Sequence, residues 1–358
     1  MFDSISFTDL CTKELELCAV REGETVAVLS QMDERIEYAD AFMAAARRLG
    51  ATPFHVRLPE ASTTLAGDSG AWMVGETPLA SNRPAVEALK QADIVIDLMF
   101  LLFSREQLEI QEAGVRMLLC MEPMDNLLRL FPTKDQRRRV ETSEELIANA
   151  STMRFTNGAG TDVTYQRGSY GVMTEYGYTD EPGRWDHWPA AFLFTSGNDD
   201  GVDGKVVVDR GDIFITPFKK YAQDPVEITI ERGTIVDIRG GLDAEMMRDY
   251  IADFDDEKAY GISHIGWGCN EKARWSGLQN DGRSIGMESR AFYGNVLFST
   301  GPNTELGGTN DTSCHIDIPM RNCSMFLDDE PVLIDGEFVI DDLKAKRTQF
   351  APPSLARA

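Results

Sequence analysis

Along the first 150 residues, short apolar runs alternate with amphipathic stretches. Residues 25–30 (TVAVLS) are apolar almost without a break, the texture of a strand buried on both faces. Ile36, Ala39, Met43 and Ala46 then fall on one helical face, and Gly50 is placed to cap that helix. Residues 53–58 (PFHVRL), 92–99 (ADIVIDLM) and 115–121 (VRMLLCM) read as further strands, the last two each preceded by a helical stretch. This alternation predicts a parallel sheet with helical crossovers. A last helix is predicted from Thr133 toward Asn149, with Gln136 completing a capping box.

The texture changes after residue 150. Residues 206–208, 213–215, 226–230 and 234–238 alternate or run apolar and are rich in β-branched side chains. Arg232-Gly233 and Asp335-Gly336 sit where hairpin turns are expected. One helix is predicted over 243–254, with Met246, Met247, Tyr250, Ile251 and Phe254 at helical spacing. The expected architecture is an α/β N-terminal domain with a parallel sheet (1–150), an α+β, mostly antiparallel C-terminal domain (151–348) that binds metal and carries catalysis, and a loose tail (349–358).

Composition narrows the function. Asp and Glu number 59 against 35 Lys and Arg, a formal charge of −24. Such a surface repels phosphate backbones and attracts cations, so no nucleic-acid partner is expected. No segment approaches about 18 consecutive apolar residues, so no membrane partner is expected. The N-terminal stretch is interrupted by Asp3, Asp9 and Glu14 and lacks the basic start of a secretory signal. Six Cys without CxxC spacing then read as free thiols of a cytoplasmic protein. There is no GxGxxG after the first strand, no Walker loop, no HExxH and no GxSxG.

Imidazole chemistry has four places to occur: His55, His187, His264 and His315. His55 lies within a predicted strand and reads as structural. In the run CHIDIP, a strand would put His315 and Asp317 on one face, about 6.6–7 Å apart at Cα, where both can reach one metal ion. His264, in GISHIGWG, is a candidate third ligand of a two-His, one-carboxylate site. Spacing alone leaves open a plain hydrogen-bonded His–Asp pair. His187 lies in residues 174–188, which hold four carboxylates, two Trp, two Tyr, an Arg and a His. That stretch reads as a functional loop, with Trp185 and Trp188 lining a pocket or a subunit contact.

Five segments in order carry a wider likeness: TEYGYTDEPGRWDHWP (174–189), YGISHIGWG (260–268), SRAFYGN (289–295), LFSTGPNTELGG (297–308) and CHIDIPMRNC (314–323). Here the chain resembles the bacterial 2,5-dihydroxypyridine 5,6-dioxygenases, mononuclear non-haem iron enzymes similar in fold to two-metal aminopeptidases. The resemblance implies Fe(II) on His264, His315 and Asp317, a small pyridine substrate and O2 as partners, and a homo-oligomer. It implies opening of the ring between C5 and C6 to N-formylmaleamate. It makes Glu175 and His187 catalytic, with Glu175 as base and His187 as oxyanion stabiliser or proton donor. Arg290, Ser299 and the position of Phe103 border the substrate. The family carries a His where this chain has Phe103, and Phe can neither give nor take a proton. The competing readings are a two-metal aminopeptidase-like hydrolase, with Glu175, Glu288 and Glu305 adding donors, and a catalytically silent binding protein.

Overall fold

The computed structural model describes residues 6–59, 77–80, 82–102, 104–168 and 170–345. Phe103 and the tail expected at 349–358 lie outside the described residues. The first part of the chain runs α1 (Phe7–Leu17), β1 (Thr25–Gln31), α2 (Ile36–Arg48), β2 (Thr52–Leu58), α3 (Arg83–Leu89), β3 (Ile94–Asp97), α4 (Arg105–Glu112), β4 (Arg116–Leu119), α5 (Met124–Arg129) and α6 (Lys134–Asn149). Its strands pair in parallel in the order β2-β1-β3-β4. Both sheet faces are covered, as continuous apolar strands require. Val26 and Val28 share one core with Leu15 of α1 and Phe42 of α2. Ala27 and Leu29 share the other with Val86 and Leu89 of α3 and Ile110 of α4. Thr133 and Gln136 form the expected capping box at the start of α6.

The second part contains β5 (Thr152–Asn157), β6 (Asp162–Arg167), β7 (Met173–Glu175), β8 (Trp185–His187), β9 (Phe192–Val208), β10 (Ile213–Phe214), β11 (Lys220–Tyr221), β12 (Val226–Glu231), β13 (Thr234–Gly240), α7 (Leu242–Ala252), β14 (Ile262–Gly268), α8 (Met287–Ala291), β15 (Val296–Thr300), β16 (Ile316–Met320), β17 (Cys323–Leu327), β18 (Glu330–Ile334) and β19 (Glu337–Phe338). Its pairings are antiparallel apart from β8. Strand β9 is long enough to join β14 at its start and β6 and β12 toward its end. The two expected hairpins form at Arg232-Gly233 and Asp335-Gly336, where all four residues have positive φ.

Three elements were not read from the sequence. The N-terminal stretch folds as α1, opened by a Ser6–Asp9 capping box. The predicted loop over 174–188 contributes two strands, and β8 adds to β4 as the fifth strand of the parallel sheet. Three-residue strands carry too little periodicity to be read from sequence. Trp188, expected at a pocket or a subunit contact, is instead wholly buried in the larger core, edge-on to Phe42 and Phe131.

Candidate functional site

A cleft opens where the carboxyl ends of parallel strands meet the face of the antiparallel sheet. Phe100 and Leu102 follow β3, Leu119 ends β4 and His187 ends β8; all line it. This is where open α/β sheets bind ligands. Phe192 and Phe194 of β9, Leu297 of β15 and Met287 of α8 make the rest of an apolar wall. Set into it are Glu175, His187, His264, Arg290, Glu305, His315 and Asp317.

His264 is central in β14, packed against Phe194 with ring centroids 4.4 Å apart. The β14–β15 pairing shifts register between Ile262 and Ile265, leaving the His264 main chain without a ladder partner in β15. Ser299 fills the gap: its hydroxyl accepts from His264 N at 2.8 Å and donates to His264 O at 3.0 Å. Bulges of this kind re-aim a side chain beside a site. Ser299 was expected at the substrate. The structure corrects this, because the hydroxyl is committed to the main chain behind His264 and does not line the cleft.

His315 and Asp317 share the predicted face at the start of β16. The Nε2 atoms of His264 and His315 lie 3.2 and 3.3 Å from Asp317 Oδ1. Neither contact has hydrogen-bond geometry, so buried Oδ1 has no hydrogen-bond partner. His315 Nδ1 faces Thr300 O at 3.1 Å. A carbonyl only accepts, so Nδ1 carries the proton and the Nε2 lone pair points at the cluster. Asp317 Oδ2 is held by the Arg290 guanidinium, with Nε at 2.8 Å. Burial opposes ionisation of Asp317, yet the carboxyl is held well below its usual range, with the Arg290 guanidinium the largest influence against burial. Burial lowers His264; for His315, burial is outweighed by Asp317 and the net direction is up. The three donors lie within 4.8 Å of one another, a group fit to hold a metal ion. Two imidazole Nε2 atoms around an otherwise unpaired carboxylate oxygen are the donor set of a divalent first-row metal.

Glu175 and His187 face this cluster from different sheets. Burial, then the negative charge of Asp186, raises the Glu175 carboxyl well above its usual range, and its Oε2 has no partner among the described residues. Burial depresses His187 to about 3. Its Nδ1 lies 2.9 Å from Pro189 O, which fixes the proton there and leaves Nε2 as a buried acceptor without a partner among the described residues. Arg290 lines the cleft as expected, though Asp317 and Ile285 O already engage its guanidinium. His55 is structural, paired through Nε2 with Ser30 Oγ at 2.7 Å. Glu288 turns away to a bidentate pair with Arg129, so it adds no donor. Glu305, named in sequence only as an extra donor, lines the cleft beyond the three-donor group, and burial raises its carboxyl.

Fold and site together define a class: an α/β protein joined to an antiparallel sheet, with a buried two-histidine, one-carboxylate donor set at the junction. A family model for 2,5-dihydroxypyridine 5,6-dioxygenase matches residues 6–340, and the chain belongs to that family. A 2,5-dihydroxypyridine 5,6-dioxygenase of Pseudomonas putida is 46% identical over 336 residues, covering 93% of this chain and 95% of that protein. The solved structure of the Pseudomonas putida KT2440 dioxygenase superposes with TM-score 0.91 at 43% identity, covering 96% of this chain and all of the other. Wild-type AmpT from Thermus thermophilus shares the fold at TM-score 0.62 and 14% identity, covering 94% of this chain and all of its own.

Proposed function

We propose that the chain opens 2,5-dihydroxypyridine between C5 and C6 with O2, yielding N-formylmaleamate, with one Fe(II) held by His264, His315 and Asp317. The observation that carries the metal assignment is the buried Asp317 Oδ1, faced by two imidazole nitrogens and hydrogen-bonded to nothing. Bound there, Fe(II) would supply the electronic path between an electron-rich ring and O2. The product is substrate plus one O2, so no separate reductant is needed.

The remaining work falls to the chain's own side chains. The apolar wall of Phe192, Phe194, Leu297 and Met287 excludes water and holds a flat ring. Arg290 keeps Asp317 anionic and aligned through Nε. The acid and base are divided by environment. Glu175, whose carboxyl burial and Asp186 raise well above its usual range, is the hydrogen-bond donor of the pair. His187, neutral and with Nδ1 committed to Pro189 O, presents Nε2 as a hydrogen-bond acceptor that orients a ring hydroxyl or N–H. The sequence reading had the reverse, with Glu175 as base and His187 as donor.

The test is direct. Protein loaded anaerobically with Fe(II) and 2,5-dihydroxypyridine should lose ring absorbance when air is admitted, and give a product heavier by one O2. Unchanged ring absorbance with iron bound would refute the assignment.

A further inference from the structure

The buried carboxylate of Asp186 enters the chemistry above only as a charge near Glu175, yet its hydrogen bonds tie the segment after Glu175 to the main chain of His187. It lies on β8, flanked by Trp185 and His187, which face the cleft, while its own side chain points beneath the cleft floor. Oδ1 accepts from Gly177 N at 2.9 Å and His187 N at 2.7 Å. Oδ2 accepts from Tyr176 N at 3.1 Å and Arg184 Nη2 at 2.9 Å. Four donors and no acceptor are the surroundings of an anion. Gly177 has φ +106°, and a Cβ there would meet Pro132 Cγ at 2.5 Å, so the turn presenting its N–H requires glycine. Arg184 is locked in turn, with Nη2 on Thr174 O at 2.8 Å and its guanidinium 3.8 Å over the Tyr176 ring.

Glu175 ends a strand of the antiparallel sheet, and His187 ends a strand of the parallel one. We propose that Asp186 is a positioning residue for the ring-opening reaction: it latches the two sheets together so that Glu175 and His187 meet across one cleft, and it acts on the substrate only through them. The inference rests on the dihydroxypyridine reading for its kinetic consequence. Asp186 also sets the electrostatics of its neighbour. The charged groups facing Glu175 are Asp186 and Arg184 of the β8 segment, Arg290 of α8 and Asp317 of β16. Glu14 of α1, wholly buried, faces Asp186 from the other side. Asp186 keeps the proton on Glu175, whereas Arg184 and Arg290 favour its release. Replacing Asp186 and replacing Arg184 should therefore move Glu175 in opposite directions, which loss of structural support alone does not do.

The experiment is a carbon-13 titration of glutamate-labelled, Fe(II)-loaded protein, with the Glu175 resonance identified by its absence from Glu175→Gln. Asp186→Asn should lower the pH at which Glu175 ionises by roughly one unit, and Arg184→Gln should raise it. In turnover, Asp186→Asn should cut kcat by about a hundredfold with little change in KM, the pattern of misplaced groups rather than lost binding. Ionisation unmoved in both variants, or moved the same way in both, overturns the proposal. If Asp186→Asn does not accumulate as folded protein, Arg184→Gln, which removes one of the four donors to Asp186, decides by turnover: a large fall in kcat at unchanged KM supports the latch, and wild-type kinetics overturn it. The titration needs no turnover. Failure of the dihydroxypyridine reading would show as an inactive wild type, separately from failure of the latch.

Discussion

At the scale of single residues, the site is a set of side chains whose surroundings decide their protonation. His187 is the clearest case, because burial holds its ring neutral down to about pH 3 while the unfolded chain protonates near its ordinary 6.5. Between those values the unfolded state binds a proton that the folded state refuses. Stability therefore rises with pH across this window, and the His187 share is lost as pH falls from about 6.5 toward 3. His187→Gln should flatten that part of the stability profile in urea unfolding run from pH 4 to 7; an unchanged slope would contradict a neutral buried ring. The metal-ligand candidates were legible in sequence, since His315-x-Asp317 on a strand must share a face and few other imidazoles compete. The division of acid from base was not legible. The proposed division rests on the charge of Asp186 near Glu175 and on Pro189 O beside His187 Nδ1, arrangements that only folding creates.

At the scale of elements, β14, β15 and β16 make the donor cluster, and their register explains Ser299. The resemblance implied Ser299 at the substrate, two residues along β15 from Leu297, which lines the cleft. The β14 bulge could not be anticipated from it, and the bulge diverts the Ser299 hydroxyl to the His264 main chain. Ser299→Ala leaves a buried N–H and C=O short of a partner, at a cost of about 1–3 kcal/mol. Denaturant unfolding should show that loss and KM should barely change, whereas a large KM effect with full stability would restore Ser299 to the substrate. The long strands, the capping box at Thr133 and the hairpins at Arg232-Gly233 and Asp335-Gly336 were readable because each rests on local spacing or turn chemistry. Strands β7 and β8 were not, since they exist through their partners β9 and β4.

At the scale of the whole molecule, the fold is shared with AmpT at 14% identity, so architecture alone does not choose between chemistries. The donor set supports the proposed single-metal site. Two-metal hydrolysis asks for more protein ligands than three around ions about 3.5–4 Å apart. Among the described residues the clustered donors are His264, His315 and Asp317, while Glu288 is engaged by Arg129. The −24 charge favours cation uptake from any direction, and Arg290 supplies the local positive charge beside Asp317. No helix among the described residues is long and apolar enough to cross a membrane. The measurement that tests the central claim most directly is an oxygen-electrode titration of metal-free protein with Fe(II) in the presence of 2,5-dihydroxypyridine. The account predicts that O2 uptake rises linearly and saturates at one iron per chain, with one O2 consumed per ring. Saturation at two metals per chain, or ring loss without O2 uptake, would contradict it.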